Sequence, residues 1–103
     1  MAMDRVKRVE KMEQILAEHR SVLESTEQAL KEYEEHQKAF NELMDYYSSQ
    51  DWFDDVEASN AGKIPFKISQ EVLSEDSVYD MYGENRNLAI DFLKVATKVL
   101  SNE

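Results

Sequence analysis

Apolar residues recur at helical spacing from Val9 to Tyr47, and neither Gly nor Pro occurs before Gly62. Residues three and four positions apart share one face of a helix, so this spacing gathers the apolar side chains into one stripe. The positions outside the stripe are almost wholly charged or polar. The pattern predicts one long amphipathic helix over about residues 4–48.

Two further helices are predicted after the long one. Ser48 and Ser49 can end the long helix and cap a short helix over about residues 50–60, and Asn60, Ala61 and Gly62 supply a stop for it. Ser74 can cap a C-terminal helix over about residues 75–100. This last helix begins with two acidic residues, which the positive end of the helix dipole favours.

These elements predict an all-α fold in which residues 1–103 form a single domain. We expect the long helix and the C-terminal helix to pack as an elongated antiparallel hairpin with coiled-coil-like contacts. A folded connector over residues 49–73, with an extended link at Ile64-Pro65-Phe66, would join them.

The long helix exceeds what the rest of the chain can cover. At 1.5 Å per residue it spans roughly 60 Å, whereas a compact domain of this size has a radius of gyration of about 13 Å. The pattern therefore predicts that a second copy completes the structure as a two-fold dimer. The candidate dimer seam consists of Val9, Met12, Ile15, Leu16, Leu93 and Leu100.

The chain carries 22 acidic and 12 basic side chains, a formal net charge of −10. Binding to DNA or RNA depends on cationic side chains that displace counterions, so this charge argues against direct nucleic-acid binding. The sequence holds no Cys, no signal-peptide core and no apolar run near the roughly 20 residues that a membrane span needs. We therefore expect a cytoplasmic protein that has no disulfides and does not enter a membrane.

Residue types that bind metals or carry catalysis are present without the spacing that such sites need. His19 and His36 lie 17 residues apart, which is roughly 25 Å along a helix, so they cannot share an ion within one chain. Neither of them follows the Glu-x-x-His pattern of di-iron bundles. Two isolated Gly residues cannot form a phosphate-binding loop. We expect no metal, no cofactor and no enzymatic activity.

The segment over residues 45–57 combines four aromatic residues with five acidic residues and no basic one. Two interpretations are open. The aromatic side chains pack in a core that fixes the connector, or they anchor a protein partner whose basic surface the acids attract. The candidate partner-binding residues are Tyr46, Tyr47, Trp52, Phe53, Asp54 and Asp55.

A wider pattern includes Tyr46-Tyr47, Trp52, Gly62, Pro65 and the run Val72-Leu73-Ser74-Glu75-Asp76 followed by Tyr79-Asp80. From about Arg8 to Leu88 the chain resembles a small bacterial family, known as domain of unknown function 4298, that is found mainly in Gram-positive bacteria. The resemblance implies a cytosolic helical protein and supplies no activity. The sequence departs from the family at Ile68-Ser69-Gln70-Glu71, where the family usually has a basic run, and this removes positive charge.

The leading hypothesis is a non-enzymatic interaction module, an adaptor or regulator that binds an unidentified protein. The alternative is an acidic inhibitor that mimics nucleic acid and occupies a basic groove of a nucleic-acid-binding protein. A mimic needs carboxylates in rows at phosphate-like spacing, whereas acids alternate with bases along the long helix. The net charge is −4 in residues 1–50 and −6 in residues 51–103, and this even spread favours the adaptor.

Overall fold

A computed structural model describes residues 2–101 of the chain. It contains three α-helices, α1 over Ala2–Tyr47, α2 over Gln50–Asn60 and α3 over Glu75–Ser101, with a short 3-10 turn over Glu71–Leu73 before α3. No strand occurs within these described residues. The all-α fold class is confirmed, and each predicted helix begins and ends within two residues of its expected position.

The chain divides into two compact units between Leu43 and Met44, a point inside α1. The first unit is a single unbroken helical segment, because it lacks Gly and Pro and is rich in good helix formers. No residue of α1 is buried. Its exposed apolar side chains, which we call the N-terminal stripe, are Met3, Val6, Val9, Met12, Ile15, Leu16, Val22, Leu23 and Leu30. The single domain predicted for residues 1–103 stays a prediction.

The second unit holds α2, the 3-10 turn and α3, and its buried core is small. Trp52 of α2 exposes 9% of its surface, and Val78 of α3 exposes 3%. The 3-10 turn contacts both α2 and α3. The core of this unit therefore lies where the first turns of the two helices approach the 3-10 turn.

Helix α2 ends within the predicted stop over residues 60–62. Gly62 has a φ of +71°, a conformation that Gly adopts without a steric penalty. The N–H of Gly62 donates to the carbonyl oxygen of Ser59 over 3.0 Å, and the N–H of Lys63 donates to that of Ala58 over 2.9 Å. These two bonds form a Schellman motif, which satisfies carbonyl groups that the end of the helix leaves unpaired.

The link after α2 differs from the expected extended form. The N–H of Ile68 donates to the carbonyl oxygen of Pro65 over 3.1 Å, so the chain turns through Phe66 and Lys67. Proline restricts its own φ and the residue before it, but it leaves the residues that follow free to turn. Phe66 is fully exposed at this turn.

The start of α3 follows the sequence signals. Ser74 is extended, with φ −84° and ψ 125°, the backbone conformation typical of a residue that precedes a helix. Glu75 and Asp76 lie in the first turn and Lys98 in the last turn, and each suits the nearby end of the helix dipole. The 3-10 turn over Glu71–Leu73 was not predicted, because three residues are too few to carry a periodic pattern.

Candidate partner-binding surface

A two-residue link joins α1 to α2 and caps the start of α2. The hydroxyl of Ser49 donates a hydrogen bond to the carbonyl oxygen of Tyr46 over 2.6 Å and accepts one from the N–H of Trp52 over 3.4 Å. Of the two residues predicted to cap this helix, Ser48 and Ser49, it is Ser49 that forms the N-cap, in an extended conformation. The cap places Trp52 in the first turn of α2.

Three neighbours hold the indole of Trp52. Its Nε1 donates a hydrogen bond to the carbonyl oxygen of Val72 over 3.0 Å. The rings of Tyr47 and Phe53 meet it edge to face, with centroids 5.1 Å and 5.3 Å away. This arrangement is favourable because the positive edge of one ring faces the negative surface of the other. For Trp52, which is buried, these contacts support the core interpretation.

Tyr46 and Asp55 pair with each other. The Tyr46 hydroxyl donates a hydrogen bond to Oδ2 of Asp55 over 2.6 Å. That hydrogen bond, followed by burial and by the negative charges of Asp55 and Asp51, raises the pKa of Tyr46 to about 12. Both paired side chains are half-buried. The Tyr46 hydroxyl has one proton to donate, so it cannot donate to a partner while it is bonded to Asp55.

Tyr47 is also engaged within the second unit. Its hydroxyl donates a hydrogen bond over 3.3 Å to the carbonyl oxygen of Glu75, the first residue of α3. Its ring packs against Trp52, and the side chain is half-buried. Tyr47 therefore connects the last residue of α1 to the first turn of α3.

The remaining two candidates, Phe53 and Asp54, face solvent. Phe53 exposes 58% of its surface. Asp54 is exposed and accepts a hydrogen bond from Nε2 of Gln50 over 3.1 Å. Asp51 and Glu57 are exposed on the same helix. We call these five residues, Gln50, Asp51, Phe53, Asp54 and Glu57, the outer face of α2.

Two sets of contacts around α2 were not predicted from the sequence. The first is the bond between Trp52 and the carbonyl oxygen of Val72, because a backbone group carries no residue-type signal. In the second, the Ser59 hydroxyl donates to Oε1 of Gln70, whose Nε2 donates to the carbonyl oxygen of Pro65 over 3.4 Å. No sequence motif marks these three residues as neighbours. Together the contacts hold residues 65–72 against α2.

All residues of the candidate dimer seam have exposed side chains. Between 47% and 70% of the surface of each side chain is accessible in Val9, Met12, Ile15, Leu16, Leu93 and Leu100. Apolar surface in this state is available for contact with another chain. The role of these residues in self-association stays a prediction.

Within residues 2–101, no three side chains of His, Cys, Asp or Glu lie together in a way that could hold a metal ion. None of the helices described there is long and apolar enough to cross a membrane.

Comparison with known proteins adds a family match. The family model described as domain of unknown function (DUF4298) matches residues 9–95, which is most of the chain. That range contains all of α2 and every candidate partner-binding residue. No curated protein and no solved structure matches the chain.

Proposed function

We propose that this chain, which belongs to the family described as domain of unknown function (DUF4298), is a non-enzymatic module that binds another protein as an adaptor or regulator. The family description supplies no activity, so the proposal rests on the surface chemistry of the second unit. The observation that carries it is the exposed Phe53 among the acidic residues of the outer face of α2.

The outer face of α2 is supported from behind by fixed side chains. Trp52 is buried and hydrogen-bonded to Val72. The bond between Tyr46 and Asp55 joins the end of α1 to the middle of α2. A helix held at several points loses little conformational freedom when a partner docks, and this lowers the entropic cost of binding.

Phe53 is the proposed anchor of the interaction. A few aromatic residues commonly contribute most of the binding energy at protein interfaces. Glu57, four residues on from Phe53, shares its face of the helix, Asp54 follows Phe53 directly in the chain, and α2 contains no basic residue. Complementary charges speed association and orient the partner. We therefore propose a partner with an apolar pocket rimmed by Lys or Arg.

The proposal includes a cytoplasmic location and a homodimeric state. The chain has no Cys and so forms no disulfides, as is usual for proteins of a reducing compartment. The exposed apolar side chains of the candidate seam support self-association, because pairing two copies would remove this surface from water.

The alternative of a nucleic-acid mimic gains less support from the same surface. A groove that binds phosphates recognises negative charge, and an exposed aromatic ring adds nothing to that recognition. Phe53 is an exposed aromatic residue on an acidic helix, which fits a protein partner better.

The test begins with affinity capture from the native cell, followed by purification of the captured protein and calorimetry. We expect Phe53→Ala to weaken the affinity at least tenfold, since loss of an anchoring aromatic commonly costs about 2 kcal/mol or more. Phe66→Ala is the matched control. Phe66 is even more exposed than Phe53 but lies between Lys63 and Lys67, in a locally basic stretch that a basic partner would avoid.

Equal affinities of the wild-type chain and Phe53→Ala would refute the proposed anchor. Circular dichroism of both variants checks that the helices are retained. If the captured protein binds nucleic acid, and its affinity for this chain falls steeply with salt yet ignores Phe53→Ala, the mimic hypothesis would replace the adaptor.

A further inference from the structure

The N-terminal stripe is a long apolar surface on a helical segment that buries none of its own residues. Its nine side chains run from Met3 to Leu30, and each exposes between 47% and 70% of its surface. Helices gain most of their stability by packing an apolar face, since their own hydrogen bonds alone are marginal in water. A covering partner is therefore expected along this segment.

The spacing of the stripe suits another helix as that partner. Its members recur every seven positions from Val9 to Leu30, a repeat sustained over several heptads. Such a repeat keeps side chains along one seam that faces a second helix. His19 and Thr26 interrupt the seam with polar groups, and interruptions of this kind fix the register of a pair at some cost in stability.

The charge beside the stripe changes sign along the helix. Residues 3–16 carry four basic and three acidic side chains, a net charge of +1. Residues 17–30 carry one basic and three acidic side chains, a net charge of −2, and residues 31–47 carry a further −3. Two identical helices that run antiparallel would place the positive part of each beside the negative part of the other. Two parallel helices would place like charges together, which is unfavourable.

We infer that the N-terminal stripe docks on the same stripe of a second copy, with the two helices antiparallel. A two-fold axis across the pair near Leu16 makes each stripe cover the other from end to end. The inference rests on the homodimer of the proposed function, and it specifies which face pairs and in which direction. It needs no contribution from Leu93 or Leu100 of α3.

Light scattering and sedimentation at tens of micromolar test the face. The wild-type chain is expected to be a dimer. Leu16→Glu should weaken the dimer at least hundredfold, because a carboxylate would lie in the seam opposite apolar side chains. Ser21→Glu is the matched control: it adds the same charge at an exposed position outside the stripe and should leave the dimer intact. Glu forms helices well at both positions.

Spin labelling tests the direction. The chain contains no Cys, so Asp4→Cys creates one labelling site in each copy. In the antiparallel pair the two labels lie roughly 38 Å apart, because each is opposite the other end of its partner's stripe. A parallel pair would bring them to about 10 Å, the usual distance between packed helices. For the antiparallel pair, double electron–electron resonance should therefore give a distance between the two labels above about 30 Å.

Three results would overturn the inference. They are a wild-type monomer, a short distance between the labels, and a dimer that survives Leu16→Glu but dissociates in Leu93→Glu. The capture assay separates such a failure from failure of the proposed adaptor. If a monomeric chain still binds its partner through Phe53, the self-pairing of the stripe is refuted and the binding role of α2 is retained.

Discussion

The indole Nε1 of Trp52 donates a hydrogen bond to the backbone carbonyl oxygen of Val72 over 3.0 Å, across a separation of 20 residues. This bond joins the first turn of α2 to the 3-10 turn before α3. One partner is a side chain that substitution can remove, and the other is a backbone group that stays behind. Variants of Trp52 therefore measure how much this hydrogen bond contributes to the stability of the fold.

Replacing Trp52 with Phe should destabilise the fold moderately. The ring is kept, but the carbonyl oxygen of Val72 loses its donor, so we expect the free energy of unfolding to fall by about 1–2 kcal/mol. Trp52→Ala should lower it by about 3–5 kcal/mol, because a large buried side chain is lost. Urea denaturation followed by circular dichroism measures both. Phe53→Ala removes an edge-to-face contact with Trp52 at an exposed position, so it should lower the stability by only about 0.5–1.5 kcal/mol. Wild-type stability in Trp52→Phe would show that the bond to Val72 contributes nothing.

The pairing of Tyr46 with Asp55 predicts a dependence on high pH. The pKa of Tyr46 is raised from 10.0 to about 12, so the folded state holds this proton more tightly than the unfolded state. The resulting stability is fully present below about pH 10 and is lost as the pH rises from there to about 12. Ultraviolet absorbance of tyrosinate should show one of the five Tyr residues titrating later than the others. Tyr46→Phe should abolish that late step.

Two further variants control the pH experiment. Asp55→Ala removes both the hydrogen-bond acceptor and its negative charge, so the pKa of Tyr46 should move back toward 10.0. Tyr79→Phe removes an exposed Tyr elsewhere in the second unit, and the late step of Tyr46 should persist. If the late step survives in Tyr46→Phe, the raised pKa belongs to a residue other than Tyr46. Circular dichroism over the same range confirms that the chain stays folded.

The two glycines should respond to Ala in opposite directions. Gly62 has a φ of +71°, where a Cβ is strained, so Gly62→Ala should lower the free energy of unfolding by about 1–2 kcal/mol. Gly83 lies inside α3, and a Cβ there would meet no atom within 4 Å. Gly83→Ala should therefore raise the stability by about 0.5–1 kcal/mol through better helix propensity. Thermal unfolding measures both changes, and equal signs would contradict the assigned backbone conformations.

The local signals for the elements could be found in the sequence because each acts over a few residues. The absence of Gly and Pro before Gly62 leaves α1 uninterrupted, Ser49 caps α2, and Gly62 ends it. The turn after Pro65 was not predicted, because the residues that follow a proline keep their conformational freedom. The contact between Ser59 and Gln70 was not predicted, because neither residue belongs to a sequence pattern that indicates the other as its neighbour.

Some of the candidate partner-binding residues are buried and others are exposed, and their spacing in the sequence does not predict which. Trp52 and Phe53 are adjacent aromatic residues in the same acidic segment, yet one is buried and the other is largely exposed. Successive residues of a helix point about 100° apart, so the side on which the 3-10 turn packs decides which of them is covered. The side on which the turn packs depends on contacts with residues far along the chain, such as Val72.

The sequence by itself determined the all-α class, the positions of α1, α2 and α3, and the acidic character of the surface. Periodicity, capping and charge are local properties that can be counted along a chain. Only the tertiary structure decided that Trp52 is buried and that Tyr46, Tyr47 and Asp55 are half-buried, while Phe53 and Asp54 remain exposed. The reason is that burial is set by which distant groups approach a side chain, and residue type does not specify those neighbours.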